Sequence, residues 1–208
     1  MRKVGALIVL LLFLGATNKS YSQKFGVKGG LNLSKFSGSD DNNATFHGDY
    51  TMKTGFQIGG TVRWEFSDFF SVDMGVRLSS KGASLNNPTG GSVSILYINV
   101  PVRPRFDFKV GKLGIFASFG PYVGQGLTGK IKTGTTSESI TFGSYASEGA
   151  DYKRADIGTS VAAGVVLRSF EIAVNLENSL VNISSITGNG TKLKNSCTSM
   201  TIAYVFGE

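Results

Sequence analysis

The residue types that most often do chemistry are scarce and poorly grouped in this chain. His47 is the only histidine, and it lies in a polar stretch without the further ligands or partner base that a metal site or catalytic pair needs. Asp40 to Asn43 precede it, but their spacing is not that of a calcium-binding loop. The lone Cys197 cannot form an internal disulfide. We therefore predict no catalytic residue, no metal site and no cofactor.

A glycine-rich segment, GQGLTGK at 124–130, has the spacing of a phosphate-binding loop up to its lysine. The next residue is Ile131, so the hydroxyl that would bind magnesium is missing. The segment is also predicted to leave a strand for a loop rich in Thr and Gly, whereas a phosphate loop leads into a helix. Nucleotide binding is therefore not predicted.

Charged residues of both signs recur at every second position in several segments. Because successive side chains of a strand point to opposite faces, charges spaced in this way share one face. Groups of this kind form structural ion pairs more often than catalytic sites. The predicted network comprises Lys28, Arg63, Glu65, Asp73, Arg77, Arg103, Arg105, Asp107, Asp156, Glu171 and Glu177, and Lys24 and Lys81 lie on the same polar faces.

The strands that carry these charges are clearest between Gly55 and Gly82. Two arms of alternating apolar and polar residues flank a short turn near Ser67 to Phe69, which predicts a β-hairpin with one purely apolar face. No stretch shows a helical period over ten or more residues. The same alternation predicts eight strands, at about 25–34, 55–66, 70–82, 93–108, 113–124, 155–167, 170–177 and 199–206.

Long and short connections alternate between these strands. The segment from Gly126 to Lys153 is predicted to be the longest loop. Pro101 and Pro104 interrupt the fourth strand, and since proline cannot donate a ladder hydrogen bond, a bulge or bend is expected there.

The N-terminus has the features of a secretory signal peptide. Arg2 and Lys3 precede an apolar run of 11 residues, Val4 to Leu14, which is too short for a membrane anchor, since a spanning helix needs about 20 residues. We predict a signal peptide at 1–22 and a barrel domain at 23–208. Removing Arg2, Lys3 and Lys19 leaves 18 basic and 14 acidic residues, without the clustering of a nucleic-acid-binding surface.

Alternation alone does not decide whether the apolar face points inward, as in a soluble barrel, or outward to lipid. The signal peptide, the alternating long and short connections and the absence of charge from the central apolar faces favour lipid. In a barrel of eight strands the interior is just wide enough for side chains to fill it, so a lumen plugged by paired charges is expected. Aromatic residues near the short turns would form an interfacial girdle: Trp64, Phe66, Phe69, Phe70, Phe106, Phe108 and Phe170.

Five segments resemble the porin-family outer-membrane β-barrel proteins of the PorT-like type. They are FGVKGGLNLS (25–34), the hairpin at 55–82, LYINVPVRPRFDF (96–108), FGPYVG (119–124) and AYVF (203–206). The resemblance implies an all-β fold, an eight-stranded antiparallel up-and-down transmembrane β-barrel in the outer membrane of a Gram-negative bacterium. Most members have no assigned activity, and some are tied to protein secretion. The chain departs from the usual aromatic ending, because Gly207 and Glu208 follow Phe206.

These observations favour a non-enzymatic barrel that contacts outer-membrane lipid and acts through its extracellular loops as a structural, adhesive or secretion-associated component. Envelope or secretion proteins would be its partners, and nucleic acid would not. Two alternatives remain at this point: a narrow passive channel, and a soluble lipocalin-like binder of an apolar ligand.

Overall fold

The computed structural model describes residues 22–38, 50–85, 90–144, 149–185 and 192–206, and its regular elements are strands. Within these residues no helix is long and apolar enough to cross a membrane. The strands are β1 (Ser22–Ser37), β2 (Tyr50–Thr51), β3 (Lys53–Glu65), β4 (Phe70–Leu85), β5 (Gly91–Val110), β6 (Leu113–Thr133), β7 (Thr136–Ser139), β8 (Ala155–Leu167), β9 (Phe170–Ser179) and β10 (Lys194–Phe206).

The eight long strands form a closed antiparallel ring. Each pairs with its neighbours along the chain, and β1 pairs with β10 from Phe25 opposite Phe206 to Ser37 opposite Lys194. The short β2 and β7 pair only with β4 and β6. The predicted eight-stranded up-and-down barrel is confirmed.

The two faces of the barrel are inverted relative to a water-soluble protein. Leu31 and Phe119 on the outside are 66% and 62% exposed, whereas Arg105 and Asp156 on the inside are fully buried. A soluble barrel that binds an apolar ligand would need the opposite arrangement, so the lipocalin-like alternative is wrong. An apolar outer surface on a sheet without free edges is the arrangement that crosses a lipid bilayer.

The short turns and both ends of the barrel sequence lie at one rim. The loops 111–112 and 168–169 are two-residue hairpins, and each begins with a residue at positive φ, Gly111 at 63° and Arg168 at 53°. Aromatic rings gather at this rim, with ring centroids 5.3 Å apart for Phe69 and Phe106 and 5.0 Å apart for Tyr204 and Phe206. The sequence prediction of an aromatic girdle omitted these last two residues.

Several strands are longer than predicted, and the extensions of β5 and β6 correct the loop boundaries. β5 has 20 residues and β6 has 21, so the first part of the loop predicted at 126–153 is strand. Pairing explains the difference, because Val93 lies opposite Ile131 and the chain then returns through β7 along the far edge of β6. The segment 124–130 is therefore part of a strand, not a loop before a helix.

The expected irregularity of β5 lies before its prolines. The register shift is between Leu96 and Tyr97, where β6 contributes Leu127 as an extra residue. The register of β4 against β5 does not change at Pro101 and Pro104. Within the described β4 and β5, however, the pairing stops after Met74 opposite Val102 and resumes at Arg77 opposite Asn99. Pro101 interrupts the ladder there because it has no N–H to donate.

The exposed outer surface predicts the effect of a charge placed against lipid. Val174 lies at the middle of β9 and is 52% exposed, so Val174→Arg should lower the free energy of unfolding by about 2–4 kcal/mol. Val110→Arg is the matched control at the short-turn rim and should cost roughly 0–1 kcal/mol. Urea unfolding in lipid vesicles measures both values, and equal costs for the two variants would contradict the proposed depth of Val174.

Candidate functional site in the barrel lumen

The members of the sequence-predicted network lie on the inner face of the barrel. Those on the middle parts of their strands are buried. His47 and the segment Asp40 to Asn43 lie outside the described residues. Cys197 is buried and free of disulfides. Among the described residues no group of three or more His, Cys, Asp or Glu side chains could hold a metal ion.

A wide vestibule opens at the short-turn rim. Its volume is about 460 Å³, and Arg63 and Arg105 lie at its inner end. Lys24 and Glu65 line its side as an ion pair, with Nζ 3.1 Å from Oε1 and both side chains partly exposed. Because solvent reaches this pair, it contributes little to stability.

The lower network closes the vestibule with five charged residues from four strands. Arg63 donates from Nε to Asp73 at 2.8 Å and from Nη2 to Glu171 at 2.7 Å. Arg105 lies between three carboxylates, with Nη2 2.7 Å from Asp107 Oδ1 and 3.0 Å from Glu171 Oε1, and Nη1 3.5 Å from Asp73 Oδ2. These contacts satisfy most of the guanidinium donors, as burial of charged groups requires.

Arg105 also stacks on an aromatic ring inside the barrel. Its guanidinium carbon lies 3.6 Å from the centroid of Phe116. Gly164 makes room for this ring, since a Cβ at that position would lie 2.8 Å from Phe116 Cε1. Both members of the stacked pair are buried inside the barrel at this level.

The upper network lies nearer the long connections. Lys81 is fully buried, with Nζ 3.3 Å from Asp156 Oδ2, 3.1 Å from Glu177 Oε2 and 4.5 Å from the ring centroid of Tyr122. Tyr122 donates its hydroxyl to Asp156 at 3.1 Å. Glu177 also forms an ion pair with Arg77. The four charged members are Arg77, Lys81, Asp156 and Glu177.

Two predicted residues have no carboxylate within ion-pair distance among the described residues, although one of them, Arg103, lies opposite Asp73 in the β4–β5 register. Lys28 forms no hydrogen bond or ion pair with the described part of the chain, and it is half-buried. Arg103 is buried and donates from Nη1 to Asn175 at 3.2 Å and to Ser160 at 3.4 Å, both uncharged groups. Ion pairs therefore do not include every charged residue of the predicted network.

An apolar cluster fills the mouth of the barrel at the long connections. Ile140 and Tyr152 approach from the segment after β7, and Ile183 approaches from the segment after β9. Backbone hydrogen bonds hold them in place, since Lys153 donates to Ile183 at 2.8 Å and Ile140 donates to Gly129 at 3.0 Å. The buried members are Phe36, Ala83, Val93, Ile95, Tyr97, Ile140, Tyr152, Ile183 and Leu193.

Sequence reasoning placed Lys81 on the polar face of its strand, outside the predicted network, and did not predict the apolar cluster. Lys81 alternates with Arg77 and Ser79 on β4, so its inward position was available from the pattern. The cluster was signalled by Val93, Ile95 and Tyr97, which are apolar at inward positions of β5 where the rest of the strand is polar. A switch from polar to apolar on an inner face indicates a capped lumen.

Comparisons with known proteins agree with this architecture. OprG of Pseudomonas aeruginosa is similar in structure, with a TM-score of 0.52, 12% identity and coverage of 90% of this chain and 98% of that one. Neisserial surface protein A gives a TM-score of 0.50 and 11% identity, covering 86% and 96%. At these identities the likeness concerns the fold alone. No curated protein matches the sequence.

A family model matches nearly the whole chain. The family is described as the outer membrane protein beta-barrel domain, and the match covers residues 4–206. Its range includes every strand of the ring described above. The chain therefore belongs to the outer-membrane protein β-barrel domain family and lies in the outer membrane.

Proposed function

We propose that the protein is a non-enzymatic barrel that does not conduct and acts through its extracellular end as a structural, adhesive or secretion-associated component. The observation that carries this proposal is the filling of the lumen at three successive levels. The lower network, the upper network and the apolar cluster each place buried side chains inside the barrel. A solute leaving the vestibule would have to displace charged groups that are already paired.

The extracellular end offers the surface through which the protein would act. In barrels of this class the long connections are extracellular and the short turns face the periplasm. β5 and β6 are about twice as long as β9, which has 10 residues, and at ~3.3 Å per residue they extend roughly 30 Å further along the strand direction. β7 adds a third strand to this projection, and its four residues are exposed.

The secretion-associated form of the proposal rests on the likeness to PorT-like proteins in the five segments quoted above. The adhesive form rests on the rigid projection alone. A narrow passive channel is the competing function, because the vestibule brings water to the lower network from the periplasmic side.

Electrical recording separates the barrel from a channel. We expect the purified protein to give no reproducible conductance steps in planar bilayers, because the lumen is filled at three levels. A general porin inserted in the same bilayers is the positive control. Discrete, reproducible steps from the wild-type barrel would refute the proposal and favour the narrow channel.

The lower network should act as a structural plug, and its removal should cost stability. Arg105→Met leaves the Asp73, Asp107 and Glu171 carboxylates short of one shared cation, so the free energy of unfolding should fall by about 3–5 kcal/mol. Lys24→Met removes the partly exposed pair with Glu65 and should cost no more than ~1 kcal/mol. Urea titration in vesicles gives both values. If Arg105→Met lowered the free energy of unfolding as little as Lys24→Met does, the role of a plug would be contradicted.

Cross-linking on living cells tests which end of the barrel meets a partner. A photo-reactive amino acid at Lys132, exposed on the projection, should give adducts with envelope or surface partners. The same group at Lys112, exposed in a periplasmic turn, is the matched control and should give none. Adducts from Lys112 alone would place the partner on the wrong side and overturn the proposal.

A further inference from the structure

A small cavity at the barrel wall, near the middle of the barrel, has three cations in its lining. Lys28, Arg77 and Arg103 line it together with Gln57, while Ile58 and Val76 line it from the outer side, and its volume is about 20 Å³. It lies beside the interruption of the β4–β5 ladder at Pro101, which is also in its wall. It is separate from the vestibule, whose inner end is formed by Arg63 and Arg105.

The strand register places two of these cations on either side of one glycine. Lys28 lies opposite Gly59 on β3, and Gly59 lies opposite Arg77 on β4. A Cβ at position 59 would lie 2.5 Å from Arg77 Cβ, so only glycine leaves this space open. Lys28 and Arg77 therefore lie on either side of Gly59 on the inner wall.

Buried donors beside this cavity lack acceptors. Arg103 is 3% exposed and Arg77 is 7% exposed, and the Nε atom of each has no hydrogen-bond partner within the described residues. Burying a donor of a charged group without an acceptor is costly, so such atoms are rare unless another group binds them.

The charges of the lumen are also unequal along the barrel. Arg77 shares the carboxylate of Glu177 with Lys81, whereas Lys28 and Arg103 have no carboxylate within ion-pair distance among the described residues. The carboxylates of the lower network are held by Arg63 and Arg105. The lower network has three carboxylates for two arginines, and its Asp73 lies opposite Arg103 in the β4–β5 register. One positive charge at the level of the cavity is therefore left without a counter-charge, and an isolated buried charge costs several kcal/mol.

We propose that this cavity binds a small inorganic anion of halide size between Lys28, Arg77 and Arg103. Ammonium and guanidinium donors on three sides fit a compact anion, and the free Nε atoms of Arg77 and Arg103 supply hydrogen bonds to it. The anion balances the positive charge at the middle of the barrel and holds β1, β4 and β5 together where the ladder is interrupted. This site is independent of the extracellular surface through which the barrel is proposed to act.

The test compares anions by their effect on unfolding. The full-length barrel is unfolded with urea in lipid vesicles containing either sodium bromide or the sodium salt of 2-morpholinoethanesulfonate, an anion too bulky for the cavity, at equal ionic strength. A ligand that binds only the folded state raises its stability with concentration. The wild-type midpoint should rise with bromide and approach saturation.

Matched variants assign the effect to the cavity. Lys28→Gln and Arg103→Gln each remove one charge, and the bromide-dependent shift should be lost in both. Lys35→Gln, on the same strand as Lys28 but exposed, should keep the wild-type shift. An equal response in wild type, Lys28→Gln and Lys35→Gln would overturn the site, since it would show only a general salt effect.

A second measurement remains decisive if the variants do not fold. Crystals of the wild-type barrel grown in bromide should show an anomalous scattering peak between Lys28, Arg77 and Arg103. The absence of a peak there, with bromide bound elsewhere on the protein, would refute the proposal.

Discussion

The pairing of β1 with β10 is the constraint on which the rest of the structure depends. Backbone N–H and C=O groups in hydrocarbon have no water to bind, so a sheet in a membrane must close on itself. The closing pair runs over thirteen residue pairs, from Phe25 opposite Phe206 to Ser37 opposite Lys194. Once the ring is closed with eight strands, its diameter is fixed and only side chains can occupy its interior.

That narrow interior determines how charge can be arranged. Each inward position faces several others across a short distance, so Arg63 reaches Glu171, which is 108 residues away in sequence. Charged groups at such positions are stable only with partners, because removing an ion from water costs several kcal/mol. The lower and upper networks satisfy this condition, whereas Lys28 and Arg103 form no ion pair with the described residues. The interruption of the ladder at Pro101 lies beside these two residues.

Much of the barrel could be predicted because alternation with period two fixes the face of every side chain. The hairpin at 55–82 shows this, since Arg63, Asp73 and Arg77 all lie inside as their spacing implied. The ends of β5 and β6 could not be predicted in this way, because segment 126–133 is rich in Gly and Thr and becomes strand only through pairing with Gly91 to Tyr97. Partner choice was equally beyond the sequence: nothing in its spacing joins Lys81 to Asp156.

Substitutions in the lumen and substitutions on the projecting extracellular end are expected to have different kinds of effect. Substitutions of Arg105 or Asp156 alter groups that are buried and bonded to several others, so any loss of activity they cause is expected to reflect loss of the fold. Exposed residues of the projection, such as Lys130 and Lys132, lie on strands that are already paired and can be changed with little effect on stability. A change in function caused at these positions would therefore report on the partner rather than on folding. The same reasoning makes the lumen informative about stability and ion binding, and the extracellular end informative about biological role.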